Sequence, residues 1–285
     1  MKRDTRVHSN TATSSEQGEI PQLKNDESYK YLGMAQTTTI ETTEMKNQIR
    51  KEYLRRLRTI LGKTRLNAQN TIKAINTWAV SMLRYSGGIV KWTLDDLRGM
   101  DRKTRKLMAV ERVFNQHGDV DRLYISRKAG GKGLLNIETT IVKESISLKK
   151  YVHSCPPTSL IAIAQDTKIE CPEHPEDYAK NRRKAHQDAY TTKVLHGQYH
   201  RQTMNIIDHD ATYAWLRNSN LKRETEALIM AAQEQSLRTN SIRAKIDRSI
   251  DSDKCRMCKQ LQETSEHLDA QWMLKIGSER IQATT

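Results

Sequence analysis

Aromatic residues are scarce in this sequence: they make up 5% of its 285 residues, with a single phenylalanine. A chain so poor in aromatics forms a thin core of Leu, Ile, Met and Ala, which favours helices over a β-sandwich. Proline is scarce too, and four of the five prolines lie between residues 154 and 177. That stretch is the predicted boundary between two helical segments.

Cysteine and long hydrophobic runs are also rare. Four cysteines are too few for a disulfide framework, which favours a reducing compartment, so we expect the protein in the nucleus or the cytoplasm. The first twenty residues contain no apolar signal-peptide core, and no stretch approaches the length of a membrane span. No membrane partner is therefore expected.

Acidic residues are outnumbered by basic ones. The chain carries 48 Lys and Arg against 34 Asp and Glu, a formal net charge of +14. A charge of this sign and size indicates a polyanionic partner, nucleic acid before a membrane surface. Half of the excess lies between residues 46 and 65, where eight basic residues accompany one acid, Glu52.

Hydrophobic periodicity predicts helices along most of the chain. In "EMKNQIRKEYLRRLRTIL", at 44–61, the apolar residues that recur every three or four positions are Met45, Ile49, Tyr53, Leu57 and Ile60. The buried face of the next helix is predicted to consist of Ile72, Ile75, Ala79 and Met82. Two short segments predict strands instead, "YKYLG" near residues 29 to 34 and "RLYIS" at 122–126.

The first predicted helix has a basic face. Lys51, Arg55 and Arg58 lie opposite its apolar stripe. Solvated helix faces usually mix charges in i,i+4 pairs, so a row of cations with few acids favours phosphate-backbone contact over mere solubility. A second basic cluster follows in "MDRKTRKLM". The predicted nucleic-acid contacts are Lys46, Arg50, Lys51, Arg55, Arg58, Arg102, Lys103, Arg105 and Lys106.

Adjacent carboxylates in "WTLDDLRGM" raise the alternative of a two-metal nucleotidyl-transfer site. Asp95 and Asp96 follow Thr93, a good N-cap residue, and the helix dipole stabilises negative charge in a first turn. Neighbouring residues on a helix also point about 100° apart, so they cannot hold one metal pair together. We therefore predict a helix cap here, and no catalytic residue in the chain.

Two other patterns are incomplete. "GKT" at 62–64 lacks the earlier glycine of a phosphate-binding loop. His196 and His200 have the spacing of a zinc-protease pair, but Gly197 stands where the general-base glutamate belongs. Ordinary polar or core histidines are the favoured interpretation.

The segment "CRMCKQLQETSEH" contains the candidate metal ligands. Cys255 and Cys258 have the two-residue spacing that lets both thiolates reach one ion, and His267 follows them. Two sulfurs and an imidazole are donors that suit zinc. The alternative is a segment that has lost its metal, with both cysteines as ordinary reduced thiols.

The order of these segments resembles that of non-LTR retrotransposon reverse transcriptases, most closely the site-specific type with a C-terminal restriction-like endonuclease. The resemblance covers nearly the whole chain from about residue 28 and implies the end of a polymerase palm, a helical thumb and a linker with a zinc knuckle. The segments that carry it are "YKYLG", the stretch from "IRKEYLRRL" to "GGIVKWT", "MDRKTRKLM", "RLYISRKAGGKGL", "ETEALIMAAQEQSLRTN" and "CRMC…ETSEH".

The resemblance implies a mainly α fold, with a helical thumb-like bundle, a helical linker and a short N-terminal β element left from a palm. The predicted domains are a palm remnant with a β-hairpin at 1–41, a thumb-like domain at 42–153, a Pro-rich connection at 154–177, a helical linker at 178–250 and a degenerate zinc-knuckle segment at 251–285.

The related enzymes also define what this sequence lacks. Their catalytic aspartates lie upstream of "YKYLG" and their endonuclease carboxylates downstream of the knuckle, so we expect magnesium only in the full-length family enzyme. They complete the zinc site with a cysteine five residues after the histidine, where this chain has Trp272. An indole offers the metal no lone pair, and three ligands plus water make a weaker site than a closed one. We therefore expect weakened zinc binding.

The resemblance predicts a non-catalytic, nucleic-acid-binding fragment that grips the RNA and DNA of a template–primer through its basic helices. One alternative is part of an active RNA-directed DNA polymerase whose catalytic palm is missing from this chain. An in-frame aromatic-x-Asp-Asp coding stretch upstream of Met1 would favour that alternative. The other is a decayed element without a retained function.

Overall fold

A computed structural model describes residues 42–154, 174–203 and 208–268, together with the backbone of four short strands before them. The chain divides into two compact units, Met1–Gln48 and Ile49–Thr285. Within the described ranges, no helix has both the length and the apolar character needed to cross a membrane.

The strands form two small antiparallel ladders. Ser14–Ser15 pairs with Gly18–Glu19, and Tyr29–Tyr31 pairs with Met34–Gln36. Their side chains and the remainder of residues 1–41 lie outside the described residues, as does most of the Pro-rich connection at 154–177. The palm remnant therefore stays a prediction.

The described residues from 42 onward are mainly α-helical, as the composition predicts. A π turn, Thr59–Lys63, extends α1; a second, Ile75–Ala79, joins α2 to α3; and a 3-10 turn spans Arg127–Ala129. The helices are α1 Thr42–Arg58, α2 Ala68–Ala74, α3 Val80–Ser86, α4 Leu94–Val110, α5 Val120–Tyr124, α6 Ile137–Ser154, α7 Pro175–Thr192, α8 Gln198–Thr203, α9 His209–Thr212, α10 Ala214–Asn218, α11 Arg223–Gln233 and α12 Asn240–Lys245.

The second helix buries a slightly different set of residues from the predicted face. Ile72, Ile75 and Ala79 are buried as expected, but Met82 is half-exposed and Leu83 is buried in its place. Steps of three and of four residues both keep a side chain on one face of a helix, so Met82 and Leu83 are equally compatible with a stripe that includes Ala79. The helical period alone does not choose between them, and packing decides.

The predicted strand "RLYIS" is wrong, because residues 120–124 form helix α5. Asp119 precedes it as an N-cap whose carboxylate accepts a hydrogen bond from the Asp121 N–H at 2.8 Å. The β-branched and aromatic residues that suggested a strand instead fill the core, where Leu123, Tyr124 and Ile125 are buried. Burial accounts for their composition without a sheet.

Helix α6 lies at the centre of the packing, in contact with α3, α4 and α7. Helices α1 and α4 are joined by a buried hydrogen bond of 2.7 Å between the Tyr53 hydroxyl and Thr104 Oγ1. Helix α11 packs on α2, where the Ala68 N–H donates to the Leu221 carbonyl at 3.0 Å. Arg223 Nη1 also donates to the Leu61 carbonyl at 2.5 Å, so α11 supports the end of α1.

Buried ion pairs connect the segment 122–134 to helix α11. Lys132 and Glu226 are 1% and 0% exposed, and Lys132 Nζ donates to Glu226 Oε1 at 2.8 Å. Arg127 bonds the other oxygen of the same carboxylate. Burial disfavours the charge on Glu226, but the two cations outweigh it and hold the pKa of Glu226 below its ordinary value. This carboxylate is therefore ionised inside the protein.

A second buried cation, Arg122, reaches the end of the same helix. Its Nη1 donates to the Met230 carbonyl at 3.0 Å and to Glu234 Oε1 at 3.2 Å. Its Nε donates to the Gly130 carbonyl at 2.9 Å, in a turn where Gly130 has φ +87° and leaves no room for a Cβ beside the Tyr213 ring. The glycines of "AGGKG" thus bring the turn close enough for Arg122 to bond it.

Asp101, inside the basic segment "MDRKTRKLM", is buried and joins α4 to the start of α6. Its carboxylate accepts hydrogen bonds from the Ile137 N–H and from Asn136 Nδ2, both at 3.3 Å. Burial raises the pKa of Asp101 to about 6, because these weak donors do not replace the lost hydration.

Replacing Glu226 by Gln removes the counter-charge of two cations. We expect a loss of about 3–5 kcal/mol in the free energy of unfolding, measured by urea denaturation at pH 7. Burial already lowers the pKa of Lys132, so without its carboxylate partner this lysine must either stay charged and unpaired or give up its proton. Glu224→Gln is the matched control on the same helix: its carboxylate is half-exposed and pairs with Arg223, so its loss should stay below about 1 kcal/mol. Equal effects of the two changes would contradict this assignment.

Asp101→Asn should change the pH dependence of stability. The folded state binds a proton more tightly than the unfolded state, so this stabilisation is complete below the ordinary pKa and is lost as pH rises through about 6. The Asn variant, compared with wild type, should therefore gain on the order of 2–3 kcal/mol between pH 4 and pH 7. Asp95→Asn, at an exposed position of the same helix, serves as control. Parallel wild-type and Asp101→Asn curves would refute the prediction.

Candidate nucleic-acid interface and metal centre

The exposed face of α1 carries the basic residues that the sequence singles out. Tyr53 and Leu57 are fully buried, and Lys51, Arg55 and Arg58 lie on the solvent side. We call these three residues the α1 basic stripe. Within the described residues, neither Lys51 nor Arg58 forms an ion pair, so both charges are available to an external anion.

Arg55, in the middle of the stripe, has an acidic partner, Glu52. Glu52 accepts hydrogen bonds from Arg55 Nε at 2.6 Å and from Arg56 Nε at 2.8 Å. These bonds lower the pKa of Glu52 to about 2. The expectation of a cation row with almost no acidic partners therefore holds for Lys51 and Arg58 and fails for Arg55.

Arg50 and Lys46 are placed differently from the stripe. Arg50 pairs with Asp96 and lies over the Trp92 ring, 5.8 Å from its centroid. Lys46 belongs to the first compact unit and is half-buried. The charge of Arg50 is thus used within the protein, although it was predicted to contact nucleic acid.

The second basic cluster lies on α4. Arg102, Lys103 and Lys106 are exposed, with no ion pair among the described residues. Arg105 points inward instead, and its Nη1 donates to the Tyr124 hydroxyl at 2.8 Å. Three of the four predicted contacts in this cluster can therefore reach a polyanion directly.

Asp96 is a helix cap, as predicted. Its N–H donates to Thr93 Oγ1 at 3.2 Å, and its own carboxylate accepts from the Thr93 N–H at 3.3 Å. With Arg50 on the other oxygen, this carboxylate is saturated by protein donors. Asp95 is exposed beside it, and the pair has no geometry for two metals.

The two histidines of "HGQYH" also have ordinary partners. His196 Nδ1 lies 3.0 Å from the Glu234 carbonyl, and His200 Nδ1 lies 3.3 Å from the Tyr213 hydroxyl. Each therefore uses a ring nitrogen in packing, which agrees with the interpretation as polar or core histidines.

Cys255, Cys258 and His267 come together in the segment 251–268. Their ligand atoms all lie within 4.8 Å of one another, and Cys258 Sγ is 3.3 Å from His267 Nε2. Tetrahedral zinc at ordinary bond lengths separates its ligand atoms by about 3.5–4 Å. This is the one such group among the residues that the structure describes, and its S, S, N donor set is compatible with zinc.

Local hydrogen bonds hold these ligands in place. The Cys255 N–H donates to the Leu261 carbonyl at 2.7 Å, and the Lys259 N–H returns to the Cys255 carbonyl at 2.8 Å. Glu263 is fully buried, and its carboxylate accepts a hydrogen bond from Arg256 Nη2. This bond stabilises the turn that carries the two cysteines. His267 follows in a helical turn at 265–268, where its N–H donates to Thr264 Oγ1 at 3.1 Å.

Cys258 is prepared to be a thiolate. Backbone N–H groups of Leu261 and Gln260, with smaller contributions from His267 and Cys255, lower the pKa of Cys258 to about 7. A thiolate is the form that binds metal. Trp272, which stands where the related enzymes have their fourth ligand, lies outside the described residues.

Two residues of the surface around the stripe, Arg56 and Trp78, were not among the predicted contacts. Arg56 donates to the Trp78 carbonyl at 2.8 Å and lies 5.3 Å from the centroid of its ring; Arg55 lies 6.0 Å from the same centroid. The only advance signal was that Trp78 falls outside the apolar stripe of α2 and α3.

Compared with known proteins, the chain matches no model of a protein family and no curated protein sequence. The function is therefore inferred from the basic surface and the Cys255–Cys258–His267 group.

Zinc content tests the metal group. Protein purified without chelator should contain zinc, and Cys258→Ser should weaken zinc binding at least about tenfold, since loss of a mere supporting partner of a ligand already costs 10–100-fold. Trp272→Cys should tighten it by supplying a fourth thiolate.

Cys171→Ser is the control for a thiol outside the group. Equal, stoichiometric zinc in wild type and Trp272→Cys would mean that another residue already supplies the fourth ligand. Zinc absent from both would show that the three donors bind no zinc.

Proposed function

We propose that this chain binds nucleic acid, as the thumb and linker part of a retrotransposon reverse transcriptase. The observation that carries the proposal is the exposed set of basic side chains on α1 and α4 that have no carboxylate partner among the described residues. This set consists of Lys51, Arg58, Arg102, Lys103 and Lys106.

The distribution of ion pairs on the surface favours a polyanionic partner. Many other surface cations in the described residues are neutralised by nearby acids, such as Arg84 by Glu144 and Lys143 by Glu176. Lys51 and Arg58 have no such partner among the described residues, which is also true of exposed lysines on other helices, such as Lys150 and Lys180. Retaining repelling charges on a helix is unfavourable unless an anion compensates them.

The kind of side chain exposed indicates how the nucleic acid is bound. Lys and Arg side chains can contact the phosphates of any nucleic acid, and such contacts carry no sequence information. We therefore infer binding that tolerates many sequences and depends strongly on salt. The Cys255–Cys258–His267 group would add a small rigid module at the far end of the linker segment, with zinc as its ion.

The sequence resemblance supplies the identity within this proposal. It assigns α1 to α6 to a polymerase thumb and α7 to α12 to the linker, and both parts would contact the RNA and DNA of a template–primer. The ion pairs of Arg122, Arg127 and Lys132 join the two parts to each other. They fasten "RLYISRKAGGKGL" to "ETEALIMAAQEQSL", two of the segments that carry the resemblance.

Salt dependence tests the proposal. Replacing Lys51 and Arg58 together by Gln should weaken binding of a DNA duplex, and the slope of log K against log salt should fall by about two, close to 0.9 for each phosphate contact. The triple change that includes Arg55 should add less than one further unit, because Arg55 already shares Glu52 with Arg56.

The charge-matched control replaces Lys150 and Lys180, which are exposed on α6 and α7, and should leave the slope near its wild-type value. If both double variants lose the same affinity, net charge alone attracts the ligand. If neither loses any, the footprint lies elsewhere.

A further inference from the structure

Trp78 is placed unusually for a tryptophan. Of the three tryptophans that the structure describes, Trp78 alone is exposed, at 39%. Trp92 is half-buried and its indole N–H donates to Ser86 Oγ at 3.0 Å, while Trp215 packs against the cluster around Leu216. A single exposed apolar side chain is ordinary on a protein surface, so the residues beside this ring, rather than its exposure alone, indicate a role.

The ring belongs to the same surface as the α1 basic stripe. Arg55, the middle residue of the stripe, lies 6.0 Å from the ring centroid, and Arg56 lies 5.3 Å from it. The Arg56 side chain is only 19% exposed and is anchored to the Trp78 carbonyl. The Arg55 side chain is 59% exposed, and its partner is the half-buried carboxylate of Glu52. One guanidinium is thus fixed beside the indole, and the other can be displaced at small cost.

The chemistry of this surface matches an unstacked nucleobase. An indole face stacks on any base, a guanidinium plane stacks on the other side of it, and nearby cations take the phosphates. Lys51 and Arg58 supply those cations one turn on either side of Arg55. A continuous duplex offers no free base face, so the surface suits a single strand better than a double one.

A second exposed aromatic extends the surface. Tyr85, 55% exposed, lies seven residues beyond Trp78 on the continuous helical segment of α2 and α3. Seven residues are close to two turns, so both rings lie on one side of the segment about 10 Å apart. Two rings with this separation can engage bases of one strand that are not immediate neighbours.

We propose that Trp78 is a base-stacking residue for a single-stranded segment of RNA or DNA, with Arg55 and Arg56 beside its ring and Tyr85 as a second platform. This inference rests on the proposed function and deepens it, because it adds a preference for unpaired nucleotides. The α1 basic stripe alone would favour any polyanion.

Trp78→Ala tests the inference on two ligands of equal charge, a single-stranded 12-nucleotide DNA and a duplex with the same number of phosphates. Loss of the indole should weaken single-strand binding about 5- to 150-fold, the range for one base–aromatic stack. Duplex affinity should stay within about twofold. Trp78→Phe should keep most single-strand affinity because a ring remains, and Ile89→Ala, exposed just past α3, should change neither ligand.

A strand with abasic sites separates stacking from backbone contact. Wild type should bind this strand at least as weakly as Trp78→Ala binds the ordinary strand, because Tyr85 loses its stack as well. On the abasic strand itself, Trp78→Ala should bind no more weakly than wild type. An equal loss on abasic and ordinary strands would overturn the inference. An RNA strand of the same length belongs beside the DNA, and unchanged binding of both by Trp78→Ala would also overturn it.

The outcomes distinguish this inference from the proposed function. If wild type binds neither strand nor duplex, nucleic-acid binding itself fails. If binding responds to Lys51 and Arg58 but not to Trp78, only the stacking site fails, and the exposed ring is open to a protein partner instead. Far-UV circular dichroism and the melting temperature establish that each variant is folded, and Trp78→Phe serves as the test should Trp78→Ala unfold.

Discussion

The carboxylate of Glu226 accepts bonds from Lys132 and Arg127 in a place from which water is excluded. Three charged groups are buried together there, and each is tolerable only in the presence of the others. A hydrophobic contact could slide, whereas this pairing fixes where the turn at 130–133 meets α11. The position of α11 along its axis, relative to this turn, therefore depends on the Glu226 carboxylate.

This constraint extends to the basic surface. Helix α11, held by Glu226 and Glu234, in turn contacts the end of α1 through Arg223 and the start of α2 through the Leu221 carbonyl. The connection between α1 and α2 is therefore supported from outside. This support keeps Arg55 and Arg56 beside Trp78. The buried ion pairs of Glu226 and Glu234 thus help to position the exposed cations.

The sequence predicts some of these features because their signals are local. The two faces of α1, the Thr93–Asp96 cap and the Cys/His group all follow from spacing within about a dozen residues. The burial of Leu83 in place of Met82 is not local in this sense, because both residues lie about one turn beyond Ala79 and packing decides between them. The segment 122–126 shows the same limit: its apolar run is equally compatible with a strand and with a short buried helix, and tertiary packing decides. The pairing of Lys132 with Glu226, 94 residues apart, leaves no periodic signal at all.

Charge counts in the sequence were informative but coarse. Eight basic residues against one acid between 46 and 65 indicated a polyanion-binding face, yet that single acid pairs with both Arg55 and Arg56, and Asp96 from another helix pairs with Arg50. Which cations stay available depends on distances that only the folded chain defines. The set that remains is smaller than predicted and more sharply located.

Lysine footprinting on a template–primer duplex with a single-stranded overhang tests whether the basic residues of α1 and α4 contact nucleic acid. Each lysine is acetylated with and without the nucleic acid, and its modification is quantified by mass spectrometry. The account predicts that Lys51, Lys103 and Lys106 are protected, whereas Lys150 and Lys180 on α6 and α7 react as in the free protein. Protection of Lys150 and Lys180 with unchanged reactivity of Lys51 would contradict it.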